Sequence, residues 1–398
     1  MDEATQRAGS RARSARLRRG LSMRVVAGLA GRSIGWLSEI ERGIRPLDSR
    51  RDTAKLAEVL GVSVVDLTGQ PYTPVDAPAA DAQMAVRDVR QALHELPEPS
   101  LSADVEQLAQ ESQALAVARA ELDLPVIGMM LPSLITRLKA SVPGARKVER
   151  LRLLKMTFWT CQGAHGFAKN LGHLDLAWIA AEHVKAAALE LDDPAWVAAA
   201  EFSRAHALIP TGAFHAAARY ASEGAELAAR TKGADAAGAH GALLLVAAYA
   251  QGHAGLVDEA TDRLADAAQL ATRPIGRVFT SGMSFGSANV GLHRVQVAIE
   301  AQRPERALAA GRDVVLADLP TAERRAAFWV DMGRANADLK QDEAAVTALR
   351  NGEREAAYRV QLHPLARESV SAMLERPHPE PLAREIRALA FRMGLPHS

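Results

Sequence analysis

Three six-residue segments that open on glycine and close on alanine most constrain this chain: Gly172 to Ala177, Gly212 to Ala217 and Gly255 to Ala260. Two further segments, Gln302 to Ala307 and Lys340 to Ala345, look like degenerate copies. Their spacing of roughly forty residues is the period of stacked helical hairpins in a solenoid. Alanine closes each segment because the second helix of a hairpin must cross the first closely. Composition agrees: 48% of residues are hydrophobic but only 4% aromatic, so the core is built from alanine, leucine and valine. Few segments alternate with the period of a strand. Apolar periodicity near 3.6 continues to the C-terminus, broken at Pro97, Pro99, Pro125, Pro132, Pro143, Pro194, Pro210, Pro274, Pro320 and Pro364.

The N-terminal end is different. From Gly20 to Gly43 the chain reads as two short helices joined by a tight turn, with apolar Val26, Leu37 and Ile40 and small Ala27 and Ala30. Gly31 supplies the positive φ of the turn, and Ser33 caps the second helix. Asp52 to Gly61 predicts another helix, and Ser63 starts a short one ending at Leu67. Gly69 to Ala82 carries Pro71, Pro74 and Pro78 and reads as a linker. Twelve arginines lie between Arg7 and Arg51, against Glu39, Glu41 and Asp48. Residues 1–70 carry a net charge of +5 and the whole chain only +1. A basic head on a mildly acidic body points to phosphate contacts at one end.

Other classes are disfavoured. With the single cysteine Cys161 there is no internal disulfide and no cysteine-cluster metal site. No apolar run approaches the roughly 20 residues of a membrane helix. Arg24 and Arg32 bracket the short apolar stretch after Arg18 and Arg19 and leave it too short for an export signal, so none is expected. A cytoplasmic protein without membrane contact is expected. There is no phosphate loop, no Gly-x-Ser-x-Gly and no His-Glu-x-x-His, and the twelve histidines are scattered. The expectation is therefore a non-enzyme with no metal and no cofactor.

Leu21-Ser22, Ala27, Ala30-Gly31, Ser33, Leu37-Ser38 and Ile40-Glu41-Arg42-Gly43, followed by Leu56-Ala57 and Leu60-Gly61-Val62, resemble the lambda-repressor-like Xre family of transcription regulators. The later turns look like tetratricopeptide repeats, and the combination is similar in architecture to the peptide-responsive RRNPP class. The resemblance implies an all-α fold, an N-terminal helix-turn-helix domain joined to an α-solenoid of tetratricopeptide-like hairpins. Its parts would be a DNA-binding domain at 1–70, a linker at 71–83 and a sensor and dimerisation domain at 84–398. It also implies a double-stranded DNA operator and a homodimer.

Carried over by position, the DNA contacts would come from Met23, Ile34, Gly35, Trp36, Glu39, Arg42 and Arg45, with Arg32, Ser33 and Ser38 on the same surface. Arg32, Arg42 and Arg45 would anchor phosphates. Glu39 would accept from a cytosine amino group, and Ile34 would pack on a thymine methyl. Met23 departs from the glutamine common in the family. Glu41 is expected to pair with a nearby arginine.

In a solenoid the first helix of each hairpin lines a concave groove. Tetratricopeptide spacing puts Trp159, Gln162, Asn170, Phe202, His206, Tyr249, His253, Asn289, Gln296 and Arg334 there. The mixture of aromatics and amides suits an extended peptide, or a small hydrophobic signal, as effector. A different reading of the same residues is a repeat adaptor for a protein partner, with a weak DNA-binding head.

Overall fold

The computed structural model describes residues 3–47, 49–72, 76–99, 104–272 and 285–395, with side chains from residue 5. Asp48, Pro74 and Pro274 lie outside these residues. The described residues form twenty α-helices and no strand.

The head contains α1 (Glu3–Arg18), α2 (Met23–Leu29), α3 (Ile34–Glu41), α4 (Arg50–Leu60) and α5 (Val64–Thr68). Both short central helices are capped by serine, Ser22 Oγ accepting from the Val25 amide and Ser33 Oγ from that of Trp36 at 3.0 Å. Gly31 between them has φ of 67°. Ser63 and Asp66 form a reciprocal capping box that starts α5. Val26, Ala27, Leu37, Ile40, Leu56, Leu60 and Leu67 close a separate small core. Any side chain at Gly9 would run into the Ile40 backbone, which is how α1 lies so close over α3. Arg16 grips Glu41 with two hydrogen bonds of 2.6 and 2.7 Å, so Glu41 takes the pairing role expected of it.

The body begins with α6 (Ala77–His94), α7 (Val105–Glu121) and α8 (Leu124–Ser141). Six hairpins follow: α9 (Lys147–Asn170) with α10 (Leu174–Leu191), α11 (Pro194–Leu208) with α12 (Phe214–Arg230), and α13 (Ala234–Ala254) with α14 (Val257–Ala271). Then come α15 (Ser287–Glu300) with α16 (Pro304–Gly311), α17 (Ala322–Asp338) with α18 (Asp342–Gln361), and α19 (Pro364–Leu374) with α20 (Glu380–Arg392). Each first helix packs against the first helix of the next hairpin, giving an inner layer of α9, α11, α13, α15, α17 and α19.

The recurring turn has one conformation in all five copies. Gly172, Gly212 and Gly255 have φ of 85°, 87° and 82°, and Gln302 and Lys340 adopt 58° and 59°. The closing residues Ala177, Ala217, Ala260, Ala307 and Ala345 are all fully buried at 0% exposure. A larger residue at any of them would push the two helices apart.

Two proline expectations are corrected. Helix α6 starts inside the expected linker because Pro78 sits in its first turn, where no amide partner is lost, and Asp76 caps it. Pro132 does not break the chain but lies inside α8. An interior proline costs about 3 kcal/mol. Burial of Ile127, Leu131, Leu134 and Leu138 outweighs that cost.

The head docks across the inner face of the body. Gly172 meets Gln70 and Pro71, Gly212 meets Ala54 and Val64, and Gly255 meets the Arg51 guanidinium. On the far side Thr5 Oγ1 lies 3.5 Å from Glu368, Arg50 lies 3.4 Å from His363 Nε2, and Arg367 stacks 4.0 Å over the Tyr72 ring. The head thus bridges the first three hairpins to α19.

Candidate functional site

Two surfaces of the head matter. Its outward surface is the second helix of the helix-turn-helix, α3, whose start is open: Arg32, Ser33, Ile34 and Gly35 are exposed, as are Arg42 and Arg45 beyond its end. Met23 and Trp36 are half-buried against the head core. Arg32 is clamped by both Asp52 oxygens at 2.7 Å and lies over the Trp36 ring. Glu39 and Arg45, expected to read a base and hold a phosphate, are joined to each other at 3.0 Å. Arg42 folds back, its Nε donating to the Ser38 carbonyl at 3.2 Å.

The inward surface roofs a cavity of about 740 Å³. Its head wall is made by Leu47, Arg50, Thr53, Val64, Thr68 and Tyr72, and its floor by α7, the inner helices of the body and the end of α18. Seven of the ten expected groove residues line it: Trp159, Gln162, Asn170, Phe202, His206, Tyr249 and Gln296.

The remaining three do not. His253 is fully buried, its ring stacked on Phe214 and edge-on to Tyr249. Its Nδ1 lies 3.0 Å from Glu300, which Arg334 also contacts at 3.0 Å. Arg334 reaches Asp331, and Gln296 donates to the same carboxylate. Burial would raise the Glu300 carboxyl, but His253 and Arg334 hold it below the ordinary range. Asn289 accepts from Arg324 at 3.1 Å and is itself buried. These three residues tie α13, α15 and α17 together instead of lining the cavity.

The charges of the cavity were missed from sequence. Arg50, Arg119, Lys169, Arg324 and Arg359 line it, against only Glu323 and Glu368. Arg119 donates to the Gln162 side chain at 2.7 Å and to the Trp159 carbonyl, and lies 5.4 Å over the Trp159 ring. Burial lowers it to about 10. Burial, with Arg359, Arg50 and Arg324 nearby, lowers the Lys169 ammonium to about 8 although Glu323 opposes the shift. His165 and His293 are pushed down to about 3 by burial and neighbouring cations, and His206 and His363 fall well below their ordinary value for the same reasons. The available signal was Lys169 itself, one of eight lysines among forty arginines, set between Phe167-Ala168 and Asn170 on a helix with a buried face.

Among the described residues no three His, Cys, Asp or Glu side chains are placed to hold a metal ion, and no helix is long and apolar enough to cross a membrane. Cys161 is buried, and that burial raises its thiol to about 12.

Comparison with known proteins matches residues 7–68 to a family described as a helix-turn-helix domain. No curated relative matches the chain. Among solved structures it is similar to the apo form of the competence regulator ComR from Streptococcus vestibularis, at 15% identity. That similarity covers 75% of this chain and 99% of that one, with a TM-score of 0.26. A helix-turn-helix head on an all-helical body, with the start of the second helix open, supports a DNA-binding regulator of transcription.

Proposed function

We propose that the chain is a cytoplasmic, sequence-specific transcription regulator of the Xre type. Residues 1–70 bind operator DNA, and residues 84–398 form a tetratricopeptide-like body that dimerises and senses a signal. One observation carries this reading. The head meets the body through α1, α4 and α5, and the surface around α3 that would enter a major groove faces outward. A homodimer would set two such heads on successive major grooves, roughly 34–36 Å apart. The cavity between head and body gives a signal direct purchase on the angle at which each head is held.

The test is a titration of the intact protein with duplex DNA from around its own gene and with a scrambled duplex of equal length and composition. Preference for one native segment supports the reading. Equal binding to both duplexes, or none, favours the repeat adaptor instead.

A further inference from the structure

The cavity lining carries more positive than negative charge, with Arg50, Arg119, Lys169, Arg324 and Arg359 set against Glu323 and Glu368. Lys169 and Arg359 line it with no hydrogen bond and no carboxylate at ion-pair distance among the described residues. Among the described residues Arg324 hydrogen-bonds the neutral Asn289 amide and no carboxylate, and Arg50 reaches His363 and leaves its Nε unpaired. The Arg359 Nε and the fully buried Ser203 hydroxyl, both in the cavity wall, also lack partners among the described residues. Elsewhere the fold pairs its buried cations closely, as at Arg16 with Glu41 and Arg334 with Glu300. Glu323 is shared among Arg359, Lys169, Arg324 and Arg119, so a partly desolvated site keeps an excess of positive charge, which is costly, and an anion placed there would lower that cost.

The remaining wall is apolar and aromatic, with Met156, Trp159, Phe202, Tyr249 and Leu292. Inorganic phosphate would leave this surface uncovered. A volume of about 740 Å³ falls in the range that encloses a drug-sized ligand, and the head covers one side of it.

We propose that this cavity binds a small organic anion, its acidic group received by Lys169, Arg324 and Arg359 and its apolar body by Trp159, Phe202 and Tyr249. The proposal rests on the sensing role given above and names its ligand class. Because Arg50 and Tyr72 wall the same cavity, the bound anion bridges head and body.

The probe pair is 1-anilinonaphthalene-8-sulfonate and its neutral counterpart N-phenyl-1-naphthylamine, titrated by fluorescence into the intact protein. The sulfonate is expected to bind one per chain, about tenfold or more tighter than the neutral amine, as charge-assisted hydrogen bonds would give. Lys169→Met and Arg359→Met should erase most of that margin and leave the neutral amine bound as before, which also shows that the variants are folded. Equal affinities in the wild type, no binding of either probe, or a margin that survives both substitutions would overturn the proposal. The same preparations are assayed on DNA. Retained operator binding with no sulfonate preference removes the anion alone, and lost operator binding removes the regulator.

Discussion

A Cβ on Gly212 would stand 2.5 Å from the Cβ of Ala54, so the second hairpin turn and helix α4 of the head touch at a distance only glycine permits. The turn also requires φ of 87°. A Cβ on Gly172 would also approach the head, 3.1 Å from the Gln70 Cβ, and one on Gly255 would meet the movable end of Arg51, whereas Gln302 and Lys340 hold the same backbone conformation with full side chains. All five turns need positive φ, but glycine is kept at the three against which the head rests.

Gly212→Ala is therefore expected to combine the roughly 1–2 kcal/mol of left-handed strain with a clash that lifts the head. Proteolysis between residues 69 and 77 should accelerate. Lys340→Gly is the matched control: relief of strain, less the entropy glycine adds to the unfolded chain, should raise stability by up to about 1 kcal/mol and leave proteolysis unchanged.

Arg16 and Glu41 form the pair that fixes α1 to the end of α3, with side chains 11% and 6% exposed. Glu41→Ala strands the guanidinium and should cost about 3 kcal/mol in chemical denaturation. The double substitution Arg16→Met with Glu41→Leu should recover most of that loss. A loss near zero for Glu41→Ala would show that the pair is solvated.

Lys169→Met should raise the melting temperature of the ligand-free protein, since the half-buried ammonium has no carboxylate within ion-pair distance among the described residues and Glu323 offsets its desolvation only in part. The sign of the pH effect follows. The folded-state value near 8 lies below the unfolded 10.5, so between them the unfolded chain binds more protons and wild-type stability gains as pH rises. The advantage of Lys169→Met is thus full below pH 8 and shrinks toward pH 10.5. A constant difference across that range would contradict it.

Arg45→Ala frees Glu39 from its ion pair at 3.0 Å. If Glu39 reads a cytosine, discrimination at that base should hold or sharpen while overall affinity falls, as selection from a randomised duplex pool would show. Lost discrimination would mean that the pair acts as a unit.

Local chemistry made the head and the turns legible. Ser22, Ser33 and Gly31 act within a few residues of chain, and the buried alanines recur with the hairpin period. The groove was legible through Trp159, Phe202 and Tyr249, which alternate with core positions on inner helices. His253 and Arg334 looked like groove residues because a polar side chain buried between two inner helices has the same spacing as one facing the groove. Only the partner, Glu300 on a third helix, separates the two cases. The roof was not legible at all. Contacts such as Gly212 with Ala54 join residues far apart in sequence, and no local periodicity encodes them.

The most direct measurement is the affinity of the intact protein for its operator at two salt concentrations, in the wild type and in Arg42→Ala. The outward-facing head predicts specific binding that falls steeply with salt, with the variant weaker on every sequence and its salt slope smaller by about one. Affinity indifferent to salt, or a slope unchanged by Arg42→Ala, would contradict the assignment of this surface to DNA.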